Sequence, residues 1–332
     1  MSKQRVLLLG ATGETGGSIL QGLLEDPNSF DVEVLVRPSA ADFPRIKELA
    51  DRGVKVHSVD IASLPELVKT LVGIDVFISA IDPWSQLAQL NLATAAKEAG
   101  VKRFIPCAFT TVAPPGGIMA LRDDKERVYE HIRKLYLPYT VIDVAYWYQL
   151  SFPALPSGRV DYASVFPRLG VHGDGSMPTM LTDLRDIGPF VALIIKDPRT
   201  LNRLVIAYGD VLSENETFRI MEDLSGEKIN RVHVSIEEVI ASRAGASAAL
   251  KADPENVGAR MLAWGEDYKY SKYVRGDNTP EHAQYLGYLD ARELYPEFKP
   301  RSFTDFVGEL LAGKVQKPYA SRAEQIKKFK KD

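Results

Sequence analysis

The chain has 332 residues, 45% of them apolar and 26% charged, with a formal net charge of −3. That balance fits a soluble two-domain or doubly wound protein, and so small a charge gives no broad attraction to nucleic acid or anionic membranes. The single cysteine, Cys107, excludes an internal disulfide and a cysteine-built metal cluster and fits a reducing, cytoplasmic setting, while no apolar run approaches the length of a leader h-region or a membrane span.

The first 145 residues alternate strand and helix patterns. "RVLLLG" reads as a strand and Ser18–Glu25 as a helix; "DVEVLVR" as a strand and Pro44–Arg52 as a helix. "GVKVHSVD", a helix over Leu64–Leu71, "IDVFISAI" and a helix over Ser85–Ala99 follow. "VKRFIPCAF", a helix over Asp123–Leu135 and a sixth strand in "YTVIDVAYW" complete the series. Strands spaced by single helices predict an α/β fold, a Rossmann-type doubly wound parallel sheet covered on both faces.

The rhythm breaks after Trp147. Prolines and glycines crowd the stretch from Pro153 to Pro178, which predicts loops that wall a pocket rather than a sheet. "LTDLRDIGPFVALIIKDP" predicts a helix ended by Pro198, and "RLVIAYG" a strand. "SENETFRIMEDLSG" predicts a helix with a Ser213/Glu216 capping box and a stop at Gly226. "INRVHVSIEEVIASRA" reads as strand then helix, Gly245–Gly258 as loop or weak helix, and Phe303–Leu311 as a closing helix. The division expected is 1–150 for a dinucleotide domain to which some later segments return, 151–320 for a smaller α/β substrate lobe, and 321–332 for a solvated basic tail.

Gly10-x-x-Gly13-x-x-Gly16 lies between the first strand and the first helix. In that context the glycines allow a tight turn, close approach of a pyrophosphate, and close helix–strand packing, with the phosphate at the helix N-terminus. The second strand ends on Arg37, where NAD-binding chains usually carry an acidic residue for the ribose 2′-OH. A guanidinium cannot accept from a hydroxyl but can clamp a 2′-phosphate, so the reading is NADPH, with Arg45 as added charge. Asp60 either borders the adenine or caps a turn. The cofactor set is Gly10, Thr12, Gly13, Glu14, Thr15, Gly16, Arg37, Arg45, Asp60, Ala80 and Lys125.

The helix after the fifth strand lacks the Tyr-x-x-x-Lys of ordinary short-chain dehydrogenases, since Tyr129 is followed by Arg133. A Tyr268-x-x-x-Lys272 lies far beyond the sheet and reads as chance. Lys125 is the remaining catalytic candidate. It is able to donate a proton or hydrogen bond to a developing oxyanion if burial and the neighbouring Arg122 and Arg127 lower its pKa; the alternative is a solvated lysine paired with Asp123 or Asp124. Candidate substrate-lining residues are Phe109, Thr110 and Val112 after the fifth strand, Tyr146, Trp147 and Phe152 in the aromatic segment, and His172 and Met177 in the glycine-rich loop. No spacing resembles a metal site.

As a set, "LLLGATGETGGSIL", "VEVLVRP", "AAKEAGVKRFIPCAF", "LPYTVI", "DIGPFVALIIKDPRTLNR" and "ELYPEFK" resemble the NmrA-like and isoflavone-reductase-like family of atypical short-chain reductases, which includes phenylcoumaran benzylic ether and pinoresinol–lariciresinol reductases. In style the chain is similar to fungal members tied to secondary metabolism. The resemblance implies an NADPH-binding Rossmann domain and places the family lysine on Lys125, thirteen residues before Pro138. It also marks departures: "PCAFT" stands where family reductases read "PSEFG", and Ala145 lies near the position that often carries Asn. The activity implied is an NADPH-dependent reductase of an aromatic, phenolic or polyketide-like small molecule, with a homodimer left open. An NADP(H)-sensing regulator and a non-redox isomerase are the alternatives.

Overall fold

The structure, a computed structural model, describes residues 3–166 and 170–320. The elements of the first half are β1 (Gln4–Leu9), α1 (Glu14–Leu24), β2 (Phe30–Val36), α2 (Pro44–Asp51), β3 (Lys55–Ser58), α3 (Leu64–Leu71), β4 (Val76–Ser79), α4 (Gln89–Glu98), β5 (Arg103–Ile105), α5 (Ala120–Lys134) and β6 (Thr140–Asp143). There follow β7 (Tyr146–Trp147), β8 (Gly170–His172), β9 (Thr179–Thr182), α6 (Ile187–Lys196), β10 (Arg203–Ile206), β11 (Asp210–Leu212), α7 (Glu214–Ser225), β12 (Val232–Val234), α8 (Ile236–Ala252) and α9 (Val257–Lys269). The last are α10 (Pro280–Tyr285), β13 (Tyr288–Asp290), α11 (Ala291–Leu294) and α12 (Phe303–Leu311). The chain forms two units: Met1–Ala145 with Arg185–Ala207 and Pro280–Phe298, and Tyr146–Leu184 with Tyr208–Thr279 and Lys299–Asp332. The basic tail at 321–332 lies outside the described residues, as do Pro167, Arg168 and Leu169.

The first unit carries a five-stranded sheet in the order β3-β2-β1-β4-β5, parallel throughout. β1 and β4 read as unbroken apolar runs because helices cover a parallel sheet on both faces. The sixth strand departs from expectation. β6 pairs with β10, and β10 with β13, in a separate three-stranded parallel sheet, and only one bridge, Phe104 to Tyr139, ties β5 to the segment entering β6. β5 is three residues long and runs into Pro106, which has no N–H to extend a ladder. The core of this unit gathers Leu7, Phe77, Phe104, Val128 and Ile132. α1 and α6 cross backbone to backbone: a Cβ on Gly188 would lie 1.9 Å from the Ser18 carbonyl oxygen.

The second unit packs Tyr148, Phe218, Phe303 and Phe306 into its own core. β9 pairs antiparallel with β11 and parallel with β7, and β8 pairs parallel with β12. β8 falls in the Pro153–Pro178 stretch expected to be free of sheet, and β9 takes Leu181 and Thr182 from the start of the expected helix, because strands of three and four residues are too short to show a period among glycines and prolines. The capping box of α7 is formed, and Gly226 ends the helix at φ +74°. The Gly245–Gly258 region is far more helical than expected: α8 runs through Gly245 to Ala252, and α9 starts at Val257. A Ser235/Glu238 capping box and alanines around Gly245 outweigh the cost of one glycine.

Candidate functional site

At the end of β1 the chain turns on Gly10, whose φ is +94°. A Cβ there would lie 2.3 Å from the Ala80 carbonyl oxygen, and one on Gly16 would lie 2.0 Å from the Gly10 carbonyl oxygen. These two glycines therefore let β1, the end of β4 and α1 touch through backbone alone. Gly13 differs. A Cβ there meets only the Gly10 oxygen, at 3.4 Å, and Gly13 is exposed. It forms the N-cap of α1 with no side-chain cap, an arrangement in which a phosphate oxygen takes the capping role. Thr12, Glu14 and Thr15 are half-buried around it.

The parallel register of Leu9 with Leu35 sets Arg37 beside the glycine loop. Arg37 is exposed and precedes a short 3-10 turn over Pro38–Ala40. Arg45, near the start of α2, reaches back so that Nη1 donates to the Thr12 carbonyl oxygen at 3.2 Å. The Arg45 guanidinium is thus tied to the glycine loop, and Arg37 is exposed at the end of the neighbouring strand, residue types that suit a 2′-phosphorylated dinucleotide. Asp60 accepts from the Ala62 N–H at 3.0 Å, so one of its oxygens is used in the turn before α3.

Lys125 lies within α5 and is buried. Neither Asp123 nor Asp124 takes it up: the Asp123 carboxylate accepts from the N–H groups of Gly116 and Gly117, and Asp124 pairs with Arg127. The Lys125 Nζ instead donates to the Cys107 carbonyl oxygen at 2.6 Å and to Gln86 Oε1 at 3.2 Å. Burial pushes its pKa below the usual lysine value; Cys107, Asp143 and Asp124 oppose that push, while Arg122 adds to it. Of the two arginines expected to lower it, Arg122 is among the leading causes, whereas Arg127 is paired with Asp124.

Beside this lysine lies a buried ion pair that no sequence motif marks. Arg122 and Asp143 are fully buried and bonded at 2.7 Å. Asp143 also accepts from the Tyr288 hydroxyl at 2.6 Å and the Thr110 N–H at 3.3 Å. The pair ties α5 to β6 and to the loop after β5. That loop turns at Phe109 with φ +41°, and the exit from β6 turns at Ala145 with φ +59°. Both are backbone conformations that side chains disfavour, of a kind that clusters at functional sites. They fall at the two places where the chain departs from the family pattern. Val112 is buried beyond the first of them.

In the second unit the aromatic candidates separate. Phe152 is a core residue, packed on Phe306 at 6.0 Å between ring centroids, so its placement is structural. Trp147 leans on Tyr319. Tyr146 lies 5.7 Å from the Tyr268 ring and carries the Lys272 Nζ over its face at 3.3 Å. Lys272 is buried and also donates to the Tyr273 hydroxyl at 3.2 Å. The His172 ring stacks on Tyr273 at 4.7 Å, and its Nδ1 lies 3.0 Å from Glu214 Oε1. Met177 Sδ lies where a Cβ on Gly276 would approach to 2.8 Å. The Tyr268-x-x-x-Lys272 spacing, read as chance, thus marks a buried lysine among tyrosines. Its local signal was the π-helical turn Tyr270–Arg275 closed by Gly276, a geometry invisible to a period of 3.6. Among the described residues no cluster of His, Cys, Asp and Glu is suited to a metal, and no helix is long and apolar enough to cross a membrane.

A parallel sheet in the order 3-2-1-4-5, opening on strand, glycine loop and uncapped helix, defines a Rossmann-type dinucleotide-binding protein. The chain belongs to the NmrA-like family, whose model matches residues 2–307. It is 40% identical to asnovolin J 5′,6′-dehydrogenase of Aspergillus novofumigatus over 93% of this chain and 95% of that one. It is 28% identical to bifunctional pinoresinol-lariciresinol reductase 2 of Thuja plicata over 89% of this chain and 95% of the other. Among solved structures it is similar to the leucoanthocyanidin reductase–NADPH complex of Vitis vinifera, with a TM-score of 0.77 and 24% identity over 93% of this chain and 99% of that one.

Proposed function

We propose that the chain is an NADPH-dependent oxidoreductase that reduces an unsaturated or benzylic centre of an aromatic, phenolic or polyketide-like small molecule. The observation that carries this reading is Lys125: a buried amine held at the carboxyl end of the parallel sheet, in the unit that bears the glycine loop. Relatives named as reductases and a dehydrogenase, and a structural neighbour holding NADPH, support the class. Gly10 and Gly16 shape the loop, Gly13 leaves its approach open, and Arg37 with Arg45 hold the 2′-phosphate. When bound, NADPH supplies the hydride. The Lys125 Nζ orients the bound ribose and donates its proton or a hydrogen bond to the oxygen that gains charge, its lowered pKa making the proton easier to give.

Hydride transfer runs both ways, and the relative at 40% identity is named for the dehydrogenase direction, so both directions belong in one assay. Soluble enones, quinones and benzylic ethers with NADPH, and the matching alcohols with NADP⁺, are followed by nicotinamide absorbance. Turnover that disappears in Lys125→Met supports the reading. NADPH binding with no turnover across the panel, unaltered by Lys125→Met, would instead identify a nucleotide-sensing member.

A further inference from the structure

Lys125 is held by a closed ring of hydrogen bonds that begins and ends on Cys107. The Cys107 N–H donates to Gln89 Oε1 at 2.6 Å. A backbone N–H only donates, so it fixes which way the Gln89 amide faces. Gln89 Nε2 therefore points at Gln86, and donates to Gln86 Oε1 at 3.1 Å. Gln86 is fixed in turn, because its Nε2 donates to the Asp82 carbonyl oxygen at 3.1 Å and contacts Cys107 Sγ at 3.7 Å. Its Oε1 is thus the atom presented to Lys125 Nζ, 3.2 Å away, while the same Nζ donates to the Cys107 carbonyl oxygen at 2.6 Å. Gln86 and Gln89 are both buried, so this orientation does not compete with water.

We propose that Gln86, oriented by Gln89, is a positioning residue that keeps the Lys125 amine on neutral acceptors at the end of β5 and thereby sets its charge state. This rests on the reading of Lys125 given above. The charged and titratable groups that weigh most on the amine are Arg122 and Asp124 on its own helix, Asp143 on β6 and Cys107 after β5. Asp143 is committed to Arg122 and Tyr288, and Asp124 to Arg127. Neutral oxygens are therefore what Lys125 touches, and a lysine so placed gives up its proton more readily than one facing a carboxylate.

Two substitutions at Gln86 push the amine in opposite directions. Gln86→Glu keeps the shape, gives up the bond to the Asp82 oxygen, and sets a carboxylate against Nζ. Gln86→Met removes the acceptor and leaves only the Cys107 carbonyl. The readout is the pH titration of the Lys125 Nζ by NMR in full-length protein labelled at lysine Nζ and Cε, with the signal assigned by its loss in Lys125→Met. The midpoint is expected to rise by about one pH unit or more in Gln86→Glu, and to fall in Gln86→Met. Gln89→Met, which removes the second donor that holds Gln86 Oε1 in place, is expected to move the midpoint as well. Midpoints that stay at the wild-type value in folded Gln86→Glu and Gln89→Met overturn the proposal, as does a shift of one sign in both Gln86 variants. NADPH turnover separates the two levels. A moved midpoint with turnover intact in Lys125→Met upholds the positioning and refutes the catalytic reading of Lys125; an unmoved midpoint with turnover lost does the reverse.

Discussion

Glu33 gives the sharpest quantitative test of the sheet that carries the glycine loop. It is a buried carboxylate in the middle of β2, beside Leu7 of β1 and Lys55 of β3. Arg5 Nη2 lies 2.7 Å from it, Lys55 Nζ 3.1 Å and His57 Nε2 2.5 Å. Burial alone would raise its pKa, but these three partners outweigh burial and hold it at about 2, against an ordinary 4.5. A carboxyl held that far down carries about 3 kcal/mol at neutral pH. Arg5 and Lys55 are 39% and 62% exposed, so solvent screening brings the expected loss in Glu33→Gln to roughly 2 kcal/mol. The sign follows from the lowered pKa. The contribution is complete above pH 4.5 and disappears as pH falls toward 2, so variant and wild type should converge in acid. Hydrogen exchange of the β1–β3 amides in both proteins at pH 7, 5 and 3.5 reads this unit separately from the other. A stability gap that stays constant over that range would refute the reasoning.

Arg37→Ala should weaken NADPH about 10-fold or more while changing NADH little, a loss of about 1.4 kcal/mol or more that fits one charge-assisted contact; titration of both nucleotides checks it, and equal losses would remove the 2′-phosphate assignment. Gly13→Ala should fold normally yet bind NADPH at least about 10-fold more weakly, because the added methyl makes only an ordinary 3.4 Å contact with the Gly10 oxygen but stands where the phosphate approaches, whereas Gly16→Ala should lose stability outright through its 2.0 Å collision with the Gly10 oxygen. Thermal melts with and without nucleotide separate the two glycine roles. Ala145→Gly should raise stability by up to about 1 kcal/mol by relieving a φ of +59°; a lower melting temperature would show that the alanine methyl packs more favourably than its backbone strain costs.

The parallel sheet was legible because its strands are continuous apolar runs bounded by turn residues, and the glycine loop because its spacing sits between a strand and a helix. Arg37 could be located by counting from those landmarks, whereas Lys125 was singled out by the lack of Tyr-x-x-x-Lys on its helix and by the family resemblance. Lys125's actual partners could not be located either way. Gln86 and Gln89 belong to a turn and helix forty residues earlier in the chain, and only folding brings them against Cys107. Arg122 drew notice only as a neighbour of Lys125, and Asp143 drew none, because nothing in a sequence shows that each is buried against the other. The smaller unit was harder still: β8 and β12 are three residues each and find each other across sixty residues of chain, so no local period announces them. At Gly245 propensity was read one residue at a time, whereas alanines act over a whole helix.

Two buried lysines remain to be told apart, and their surroundings do so. In an ordinary Tyr-x-x-x-Lys pair both residues lie on one face of a regular helix, four apart, and meet directly. Here Tyr268 ends α9 while Lys272 lies in the π-helical turn that follows, and each lies against the Tyr146 ring. A lysine over aromatic faces is stabilised as a cation, which suits anchoring or packing. Lys125 lies on neutral oxygens, and burial lowers its pKa. Tyr268→Phe and Lys272→Met should therefore leave the pH dependence of turnover unchanged, whereas Lys125→Met should lower kcat with NADPH affinity within a few-fold of wild type. A folded Tyr268→Phe protein that has lost turnover would reverse the assignment and make Tyr268 and Lys272 the proton-transferring pair.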